Sequence, residues 1–563
     1  MAGIVSARAW ANNEVAYVAW DIDGRIDGCL GFEVTRVYLN DDGTVARLDD
    51  GSEDRVKCAS WVAFKGQRNP YWLPQDTGVW PVQKLSWRDL TLRKRRKGMT
   101  RRPDQVRLRY EIRPVGDRRP GLEPVPPNGQ DYGFVPRRDA AGSPLKGADG
   151  KTLWQRVKAY EGQPLPLAYL APAFATNDLL VTSRRGPFRS TFTNGILAAQ
   201  WLRNVLYEDG VLEKDELLKK ICDPEDTHRR YLAGDVIPLV RGLFQLPGEF
   251  YLALYELDDK ELEEMLLANA NRIHLILANT GKSSGEWDVR NRAARQRLVG
   301  AGVDIEHRMF NNSTHIGHNK FVVHVPPGGA PRSVLTGSTN WTSTGLAGQT
   351  NNMLLIEDDA LAGVYLDYWQ RLKADPLPLP QPLGREMPGN QQGKPFRSSN
   401  EAPGRIRLAG GAGLEAWFSP NMQARRKGSA TPPDLSEAYR RIRQAREAVL
   451  FLAFYPGQRG QDCIIGEAIA IGLRDRSLLV AGAVSSPQAM PNYKPKKKDA
   501  SGKVVDEGES PATYEDGNVA VVRAARVDEK TLCGDLGVEQ LTAHGGVGAI
   551  IHDKIVVIDP RLP

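Results

Sequence analysis

The stretch HNKFVVHVPPGGAPRSVLTGSTNW, residues 318–341, has a histidine and a lysine two positions apart at the head of an apolar run, and a Gly-Ser-Thr-Asn sequence after it. The apolar run has the length and composition of a buried β-strand. Because residues two apart in a strand point to the same face, His318 and Lys320 are predicted to project together. A second stretch, IIHDKIVVID at residues 550–559, repeats the pattern 234 positions later with His552 and Lys554.

The elements that precede the two motifs follow the same order. After Gly248, strand-like runs alternate with segments of helical periodicity, and the alternation restarts at LEAWFSP, which begins at Leu414. This pattern is typical of layered α/β domains, and its repetition indicates an internal duplication. We predict a first repeat at residues 249–374, a Pro/Gly-rich linker at 375–413 and a second repeat at 414–563.

The first third of the chain has a different pattern. Residues 1–195 contain short strand-like runs separated by Gly, Asp and Pro turns, which favours an all-β sandwich. With Trp20 closing an early strand and Tyr110 in a late one (RLRYEIRPVG), this region resembles a fibronectin type III module with long insertions. Another all-β domain is the alternative. Helical periodicity begins at Ile196, and residues 196–248 are predicted to be a helical connector.

The composition is that of a globular protein of several domains. The chain has 563 residues, of which 41% are hydrophobic and 25% charged. No apolar run is long enough to cross a bilayer, and the first twenty residues do not have the pattern of a secretion signal. Five scattered cysteines without CxxC spacing argue against a disulfide framework or a zinc site. We therefore expect a cytoplasmic protein.

The net charge of +7 is concentrated in clusters. One comprises residues 93–97 (RKRRK) with Arg101 and Arg102, and the other comprises Lys494 and Lys496 to Lys498. Such clusters attract polyanions, so they predict contact with nucleic acid or with an anionic membrane surface at the periphery of the bilayer. A solvated loop is the alternative interpretation.

The residue types of the two motifs suit cleavage of a phosphodiester. This reaction needs a nucleophile, a proton donor for the leaving oxygen and fixed positive charge around the phosphoryl oxygens. If the halves pack about a pseudo-twofold axis, one imidazole can attack phosphorus while the other protonates the leaving group. The lysines would bind the phosphoryl oxygens, helped by Ser338 and Asn340 as hydrogen-bond donors. No metal or cofactor is needed, although His315 and His324 beside His318 suggest a metal site as the alternative.

These residues resemble the phospholipase D superfamily, whose signature is His-x-Lys-x4-Asp followed by Gly-Ser-x-Asn, present twice in the larger members. The resemblance covers about residues 250–563 and extends to QTNNMLLIEDD at 349–359. It implies a covalent phosphohistidine that is formed and hydrolysed without metal. It also implies His318 as nucleophile and His552 as acid/base, an order that could be reversed. The implied catalytic residues are His318, Lys320, Ser338, Asn340, His552, Lys554 and Asp559.

Two departures from the signature are visible. Val325 stands where the first motif should have its aspartate, a loss that we expect to be tolerated because this aspartate supports the strand in the family. The second motif has Asp559 but no Gly-Ser-x-Asn after it, because the sequence ends at Pro563. The second repeat is therefore expected to be truncated at its carboxyl terminus.

The resemblance implies an enzyme that hydrolyses or transfers a phosphodiester, with phospholipid as the expected substrate. A nuclease is the alternative, because the same site can cleave nucleic acid and the basic clusters suit it. A non-catalytic scaffold is the third hypothesis, and it predicts that the two imidazoles do not meet.

Overall fold

The computed structural model describes residues 2–13, 15–89, 92, 105–126, 130–140, 144–195, 219–220, 222–279, 288–308, 316–375, 394–422, 431–454, 463–499, 501–502, 504–523 and 550–560. The chain divides into two compact units. The first comprises Met1–Arg185 and Tyr207–Gly210, and the second comprises Gly186–Leu206 and Val211–Pro563. None of the described helices is both long and apolar enough to cross a membrane.

The described residues of the first unit form strands, turns and loops. The strands are β1 (Ile4–Ala11), β2 (Ala16–Ile22), β3 (Cys29–Leu39), β4 (Arg55–Lys57), β5 (Ala59–Ser60), β6 (Gln75–Asp76), β7 (Ser86–Asp89), β8 (Gln105–Asp117), β9 (Tyr132–Pro136), β10 (Trp154–Lys158), β11 (Leu167–Tyr169), β12 (Phe174–Ala175), β13 (Leu179–Thr182) and β14 (Arg184–Arg185). One sheet has the order β1-β2-β7 and another the order β11-β8-β3-β4, with β12 and β13 also paired to β8.

A shared core holds these two sheets face to face. Trp20 of β2 packs edge-on against Phe32 of β3 at a centroid distance of 5.2 Å, and Tyr110 of β8 lies in the same buried cluster. The Tyr110 hydroxyl donates to Asp89, which also accepts from Arg36. The inward residues of each strand alternate with outward ones, as in a β-sandwich. The likeness to a fibronectin type III module stays a prediction.

The second unit contains both motifs. Its strands are β15 (Phe188–Phe192), β16 (Glu249–Leu254), β17 (Ile273–Ala278), β18 (Asp304–Arg308), β19 (Lys320–Val325), β20 (Ser333–Gly337), β21 (Gln349–Thr350), β22 (Asn352–Ile356), β23 (Gly404–Arg407), β24 (Gly413–Ala416), β25 (Ala448–Ala453), β26 (Leu479–Val484), β27 (Lys497–Lys498), β28 (Val504–Asp506), β29 (Thr513–Asp516), β30 (Val519–Arg523), β31 (Ile550–Ile551) and β32 (Lys554–Ile558). Its described α-helices are α1 (Thr227–Leu232), α2 (Val236–Phe244), α3 (Lys260–Leu267), α4 (Arg292–Gly300), α5 (Asp359–Lys373), α6 (Lys394–Ser398), α7 (Pro433–Arg443) and α8 (Ile464–Arg474).

The first motif lies in a mixed sheet with the order β15-β22-β20-β19-β16-β17-β18. Strands β16, β17 and β18 are parallel, whereas β19 runs antiparallel to β16 and carries Lys320 opposite Leu254. Alternate residues of these strands enter two different cores, one with α2, α3 and α4 and the other with α5. A sheet buried on both faces explains why its strands are nearly continuous runs of apolar residues.

The second motif lies in a sheet with the order β29-β30-β26-β25-β32. Here β25, β26 and β30 are parallel, and β32 runs antiparallel to β25 with Lys554 opposite Ala453. The position of β32 beside β25 is therefore that of β19 beside β16. Between the two sheets, β21 and β31 pair in parallel, so that Thr350 lies beside Ile551 directly before the second motif.

Parts of the predicted linker at 375–413 have regular structure. Phe396 in α6 and Ile406 in β23 are buried in the core beside α5, which explains why these segments fold onto the sheet despite their Pro and Gly content. Of the helical connector predicted at residues 196–248, residues 196–218 and 221 lie outside the described residues. The rest of the connector includes α1 and α2.

The predicted polyanion contact is supported by neither basic cluster. Residues 93–97, Arg101 and Arg102 lie outside the described residues. In the second cluster, the ammonium groups pair with carboxylates of the same hairpin: Lys494 with Glu509, Lys496 with Glu507, and Lys497 with Asp506. These pairs offset part of the positive charge locally, and the polyanion contact stays a prediction.

Candidate active site

The two motif histidines face each other. The ring centroids of His318 and His552 are 6.3 Å apart, with the rings inclined at 73°. His318 is exposed, whereas His552 is only 3% exposed. The backbone N–H of His552 donates to the carbonyl of Thr350 at 2.9 Å, so the pairing of β21 with β31 continues to the second motif and fixes the position of its histidine.

An aromatic residue supports each histidine in the same way. Tyr255 follows β16, and its ring contacts the His318 ring edge-on at 4.8 Å. Phe454 follows β25, and its ring contacts the His552 ring edge-on at 4.7 Å. Each aromatic ring also lies near the lysine of its own motif, at 5.5 Å from Lys320 Nζ and 4.9 Å from Lys554 Nζ. The two halves therefore build matching histidine–lysine–aromatic groups.

The lysines turn back towards their own motifs. Lys320 Nζ donates to the carbonyl of His318 at 3.2 Å, and Lys554 Nζ donates to the carbonyl of His552 at 2.6 Å. Burial lowers the pKa of Lys320 to about 7, with a further lowering by Lys554 and an opposing effect of Glu256. The pKa of Lys554 falls to about 8, because desolvation outweighs the attraction of Asp553.

Both imidazoles are held in the neutral form. The pKa of each falls to about 3, first because of desolvation and then because of the nearby lysine ammonium groups. The lysine ammonium groups repel a protonated imidazole. The same lysines that would bind an anion therefore keep His318 and His552 neutral. A bound phosphate would reverse this effect by adding negative charge beside both rings.

Asn351 orients His552. Its side-chain Nδ2 donates to the carbonyl of Gly345 at 2.8 Å, which turns its Oδ1 towards the His552 ring. His552 Nδ1 lies 2.7 Å from Asn351 Oδ1 and 3.1 Å from the carbonyl oxygen of Ser338. Both partners can only accept, so Nδ1 carries the proton and the lone pair of neutral His552 is on Nε2.

Ser338 and Asn340 both donate hydrogen bonds to other side chains of the protein. The Ser338 hydroxyl donates to Asn351 Oδ1 at 2.9 Å, so its single proton is not available to a phosphoryl oxygen. Asn340 Nδ2 donates to Glu256 Oε2 at 2.9 Å and retains a second amide hydrogen. Gly337 begins this segment at φ +149°, and a Cβ there would lie 2.4 Å from the carbonyl oxygen of Asn352. This close approach explains the glycine of the motif.

Asp559 does not join the site. It follows β32 at the end opposite Lys554, and its carboxylate accepts from the backbone N–H groups of Arg446, Glu447 and Ala448 at 2.7 to 3.1 Å. These hydrogen bonds lower the pKa of Asp559, although desolvation opposes them. In the structure Asp559 is not brought together with the two histidines, and its hydrogen bonds fix the loop that leads into β25.

In the first half, where Val325 stands at the position of the aspartate, other residues fix the loop that leads into β16. The Arg272 guanidinium donates to the carbonyls of Phe244, Leu246 and Gly248 in the loop that leads into β16. His324 Nε2 contacts the carbonyl of Pro247 at 2.8 Å, and its ring stacks on Phe250. His324 is thus part of the strand support and does not join His318 in a metal site, while His315 lies outside the described residues. Among the described residues, no three His, Cys, Asp or Glu side chains are grouped as metal ligands would be.

Several residues around the histidines were not predicted from the sequence. They are Tyr255, Glu256, Asn351, Asn352 and Phe454. A polar or aromatic residue at the carboxyl end of an apolar strand was the available signal for Tyr255, Glu256 and Phe454. The pair Asn351 and Asn352 directly before the apolar run of β22 was the signal for the other two.

Comparisons with known proteins agree with this geometry in part of the chain. Residues 248–373 match the family model described as "Cardiolipin synthase, PLD-like domain". No curated protein matches the chain. Similar solved structures include Nuc, a phospholipase D family member from Salmonella typhimurium, at 20% identity over 27% of this chain and 90% of that chain, with a TM-score of 0.19. Phosphatidylserine synthase from Haemophilus influenzae Rd KW20 is 12% identical over 47% of this chain and 63% of that chain, with a TM-score of 0.31. Both TM-scores are below 0.5, so the likeness to a known family rests on the match of residues 248–373 to the family model.

Proposed function

Since residues 248–373 are a phospholipase D-like domain, we propose that this chain is a phosphodiesterase that works through a covalent phosphohistidine. The observation that carries the proposal is the convergence of His318 and His552, with ring centroids 6.3 Å apart and a lysine beside each. A single phosphate can contact both rings at this separation. The same convergence argues against the non-catalytic scaffold, for which the imidazoles need not meet.

The proposal includes an internal duplication, in which the residues around His318 and those around His552 are two copies of one fold. Three parallel strands and an antiparallel motif strand occur in the same order in both halves, as do the aromatic residue and the back-folded lysine. Two copies related in this way bring a histidine from each to a common interface, which is the arrangement that the two-step reaction requires.

The hydrogen bonds of His552 favour it as the nucleophile, the reverse of the order that the resemblance implied. Asn351 and the Ser338 carbonyl hold its proton on Nδ1, which leaves the Nε2 lone pair for attack. The described residues place no comparable acceptor beside the His318 ring, which instead contacts Tyr255 and His552. His318 is therefore assigned the proton transfer.

The reaction then has two balanced steps. His552 Nε2 forms a bond to phosphorus as the bond to the leaving oxygen breaks, and that oxygen takes a proton from His318. Water next attacks phosphorus and gives a proton to His318, and the bond to Nε2 breaks. An alcohol in place of water gives transfer instead of hydrolysis. The negative charge of the bound diester raises the pKa of His318 from about 3, which allows it to carry the proton.

A substitution at Asn351 tests the assignment of His552. Asn351→Leu removes the nearer of the two acceptors and leaves only the Ser338 carbonyl at 3.1 Å. The preference of His552 for the Nδ1–H tautomer is then weaker, and the kcat is expected to fall by roughly 10²-fold. Asn351→Asp keeps an acceptor for Nδ1–H and should retain more activity. Its carboxylate should also raise the pKa of His552 above about 3. The ¹⁵N chemical shifts of the His552 ring report the tautomer directly.

A merely structural role of Asn351 predicts another pattern. Both substitutions lose the Nδ2 donor to Gly345, so both would lower the melting temperature. An unchanged His552 tautomer in Asn351→Leu would refute the positioning role, whatever the loss of stability.

The proposed activity is tested directly with three substrates. Phosphatidylcholine represents phospholipid, the expected class, and single-stranded DNA represents nucleic acid, the alternative. Bis(p-nitrophenyl) phosphate represents a phosphodiester that is part of neither a lipid nor a polynucleotide. We expect the protein to cleave at least one substrate in the presence of EDTA, and the His318→Ala/His552→Ala double variant to cleave none at a comparable rate. His274→Ala is the control, because His274 pairs with Asp304 and Glu249 outside the site. Cleavage that survives the double substitution, or that EDTA abolishes, would contradict the mechanism.

A further inference from the structure

The first unit carries an exposed aromatic and basic surface on a two-stranded ribbon. Strands β9 and β10 pair in antiparallel register, with Lys158 opposite Tyr132 and Arg156 opposite Phe134. Directly opposite residues and alternate residues of a ribbon share a face, so six residues lie on this one. Pro136 is buried, and the other five side chains project together. This group, which we call the ribbon face, consists of Tyr132, Phe134, Trp154, Arg156 and Lys158.

The aromatic rings of the ribbon face are accessible. Tyr132, Phe134 and Trp154 are exposed by 49%, 62% and 47%. The opposite face of the ribbon is packed, since a Cβ at Gly133 would lie 2.6 Å from Leu73 Cδ1. The ribbon is therefore held from behind, and its large rings point outwards. Three large exposed rings grouped on one face indicate a binding site.

The cations of the ribbon face are suited to phosphate groups. The Arg156 guanidinium carbon lies 3.3 Å from the centroid of the Tyr132 ring, so the planar cation stacks on the aromatic face. Among the described residues, no carboxylate lies within ion-pair distance of Arg156 or Lys158. The face itself includes no acidic residue, in contrast to the lysine hairpin of the second unit, where Lys494, Lys496 and Lys497 each pair with a carboxylate.

We propose that the ribbon face binds single-stranded nucleic acid. Unpaired bases can stack on its exposed rings, while Arg156 and Lys158 contact the phosphates between them. Alternate residues of a strand repeat at roughly 6.7 Å, so Tyr132 and Phe134 follow each other along β9 with Lys158 and Arg156 directly opposite them on β10. The interleaving of cations with rings favours this ligand over a bilayer, which would require a continuous apolar tip for insertion. The binding is independent of catalysis, although it would bring a polynucleotide to a phosphodiesterase.

A binding titration tests this proposal. The probe is a fluorescein-labelled oligothymidylate of about 20 nucleotides, and its anisotropy is measured with the His552→Ala chain so that no cleavage occurs. We expect saturable binding that weakens as the salt concentration rises. Phe134→Ala/Trp154→Ala should weaken the binding at least tenfold, and Arg156→Gln/Lys158→Gln should weaken it and reduce its salt dependence. Duplex DNA of the same length should bind less tightly, because its bases are not available for stacking.

The control is Trp10→Ala. Trp10 is exposed by 48% on β1 and has Arg8 near its ring, but it stacks with Tyr17 and does not belong to the ribbon. This variant should bind like the parent, and thermal melting of all variants shows whether they fold. No binding of the oligonucleotide, or equal binding by the parent and the ribbon variants, would overturn the proposal. Ribbon-dependent sedimentation with phosphatidylcholine and phosphatidylglycerol vesicles, without oligonucleotide binding, would also overturn it and assign the face to a membrane. None of these results depends on the proposed hydrolysis.

Discussion

Replacing His552 by alanine is expected to lower the rate of phosphodiester cleavage by roughly 10⁴- to 10⁶-fold, whatever the leaving group of the substrate. The variant lacks the Nε2 atom that attacks phosphorus, and the other imidazole of the site, His318, is assigned the proton transfer. Asn351 and the Ser338 carbonyl prepare this nitrogen by holding the ring proton on Nδ1. The measurement is the steady-state rate with bis(p-nitrophenyl) phosphate and with the natural class of substrate.

His318→Ala is expected to behave differently with the same two substrates. An alkoxide leaving group needs a proton, so the loss of the general acid should cost roughly 10²- to 10⁴-fold. Nitrophenolate leaves without a proton, so the first step with the activated substrate should persist. The second step lacks its general base and should be slow. We therefore expect a burst of about one equivalent of nitrophenolate and the accumulation of phosphohistidine at position 552.

The two single variants separate the two possible orders. A burst with His552→Ala and none with His318→Ala would reverse the assignment and restore the order that the resemblance implied. Loss of the burst in both variants would contradict the covalent mechanism. His274→Ala controls for a general effect of removing an imidazole, because it pairs with Asp304 and Glu249 away from the site.

Local sequence patterns predicted the strands around the first motif well. The apolar runs at residues 273–278 and 320–325 predict strands, and the structure has them as Ile273–Ala278 and Lys320–Val325. The prediction of a phospholipase D-like domain is confirmed for residues 248–373. These strands are buried on both faces, so each buried strand is a continuous apolar run in the sequence. Such a run identifies a strand even when its partner strands are unknown.

Predictions that depend on distant partners were less accurate. The periodicity of residues 436–448 predicts a helix from Ser436 to Ala448, whereas the helix in the structure ends at Arg443. Its last predicted residues have good helical propensity, but Asp559 takes the backbone N–H groups of Arg446, Glu447 and Ala448 from more than a hundred positions away. A hydrogen bond of this kind overrides local propensity and leaves no periodic signal.

The same reason explains what was missed in the site. The motifs predicted which residue types would meet, but the partner of the His552 ring is Asn351, 201 positions earlier in the chain. The role of the Ser338 hydroxyl also follows from Asn351, because that amide oxygen accepts its proton. A motif gives the identity of the reacting groups, whereas their orientation depends on contacts between the two halves.

Lys320 is expected to be the most important residue after the histidines. Its ammonium group is buried beside His318 and is the fixed charge closest to that ring in the first half. Lys320→Met keeps the length of the side chain but removes the charge that would stabilise the phosphoryl oxygens in the transition state. Removal of one such donor costs roughly 10²- to 10³-fold, and we expect this loss in kcat/KM. Lys373→Met is the matched control, because Lys373 pairs with Glu306 on the edge strand β18.

The pH dependence of kcat/KM distinguishes a lost charge from a disturbed fold. The pKa of Lys320 is lowered to about 7 and that of Lys554 to about 8, so both are protonated at low pH and lose their charge as the pH rises. With bis(p-nitrophenyl) phosphate, whose leaving group needs no proton from His318, kcat/KM of the parent protein should therefore begin to fall near pH 7. In Lys320→Met the remaining alkaline decline should move to about pH 8, where Lys554 titrates. The pKa of His318 should rise from about 3, since Lys320 contributes to its depression. An alkaline decline that stays near pH 7 in the variant would show that Lys320 is not the group whose charge the reaction needs.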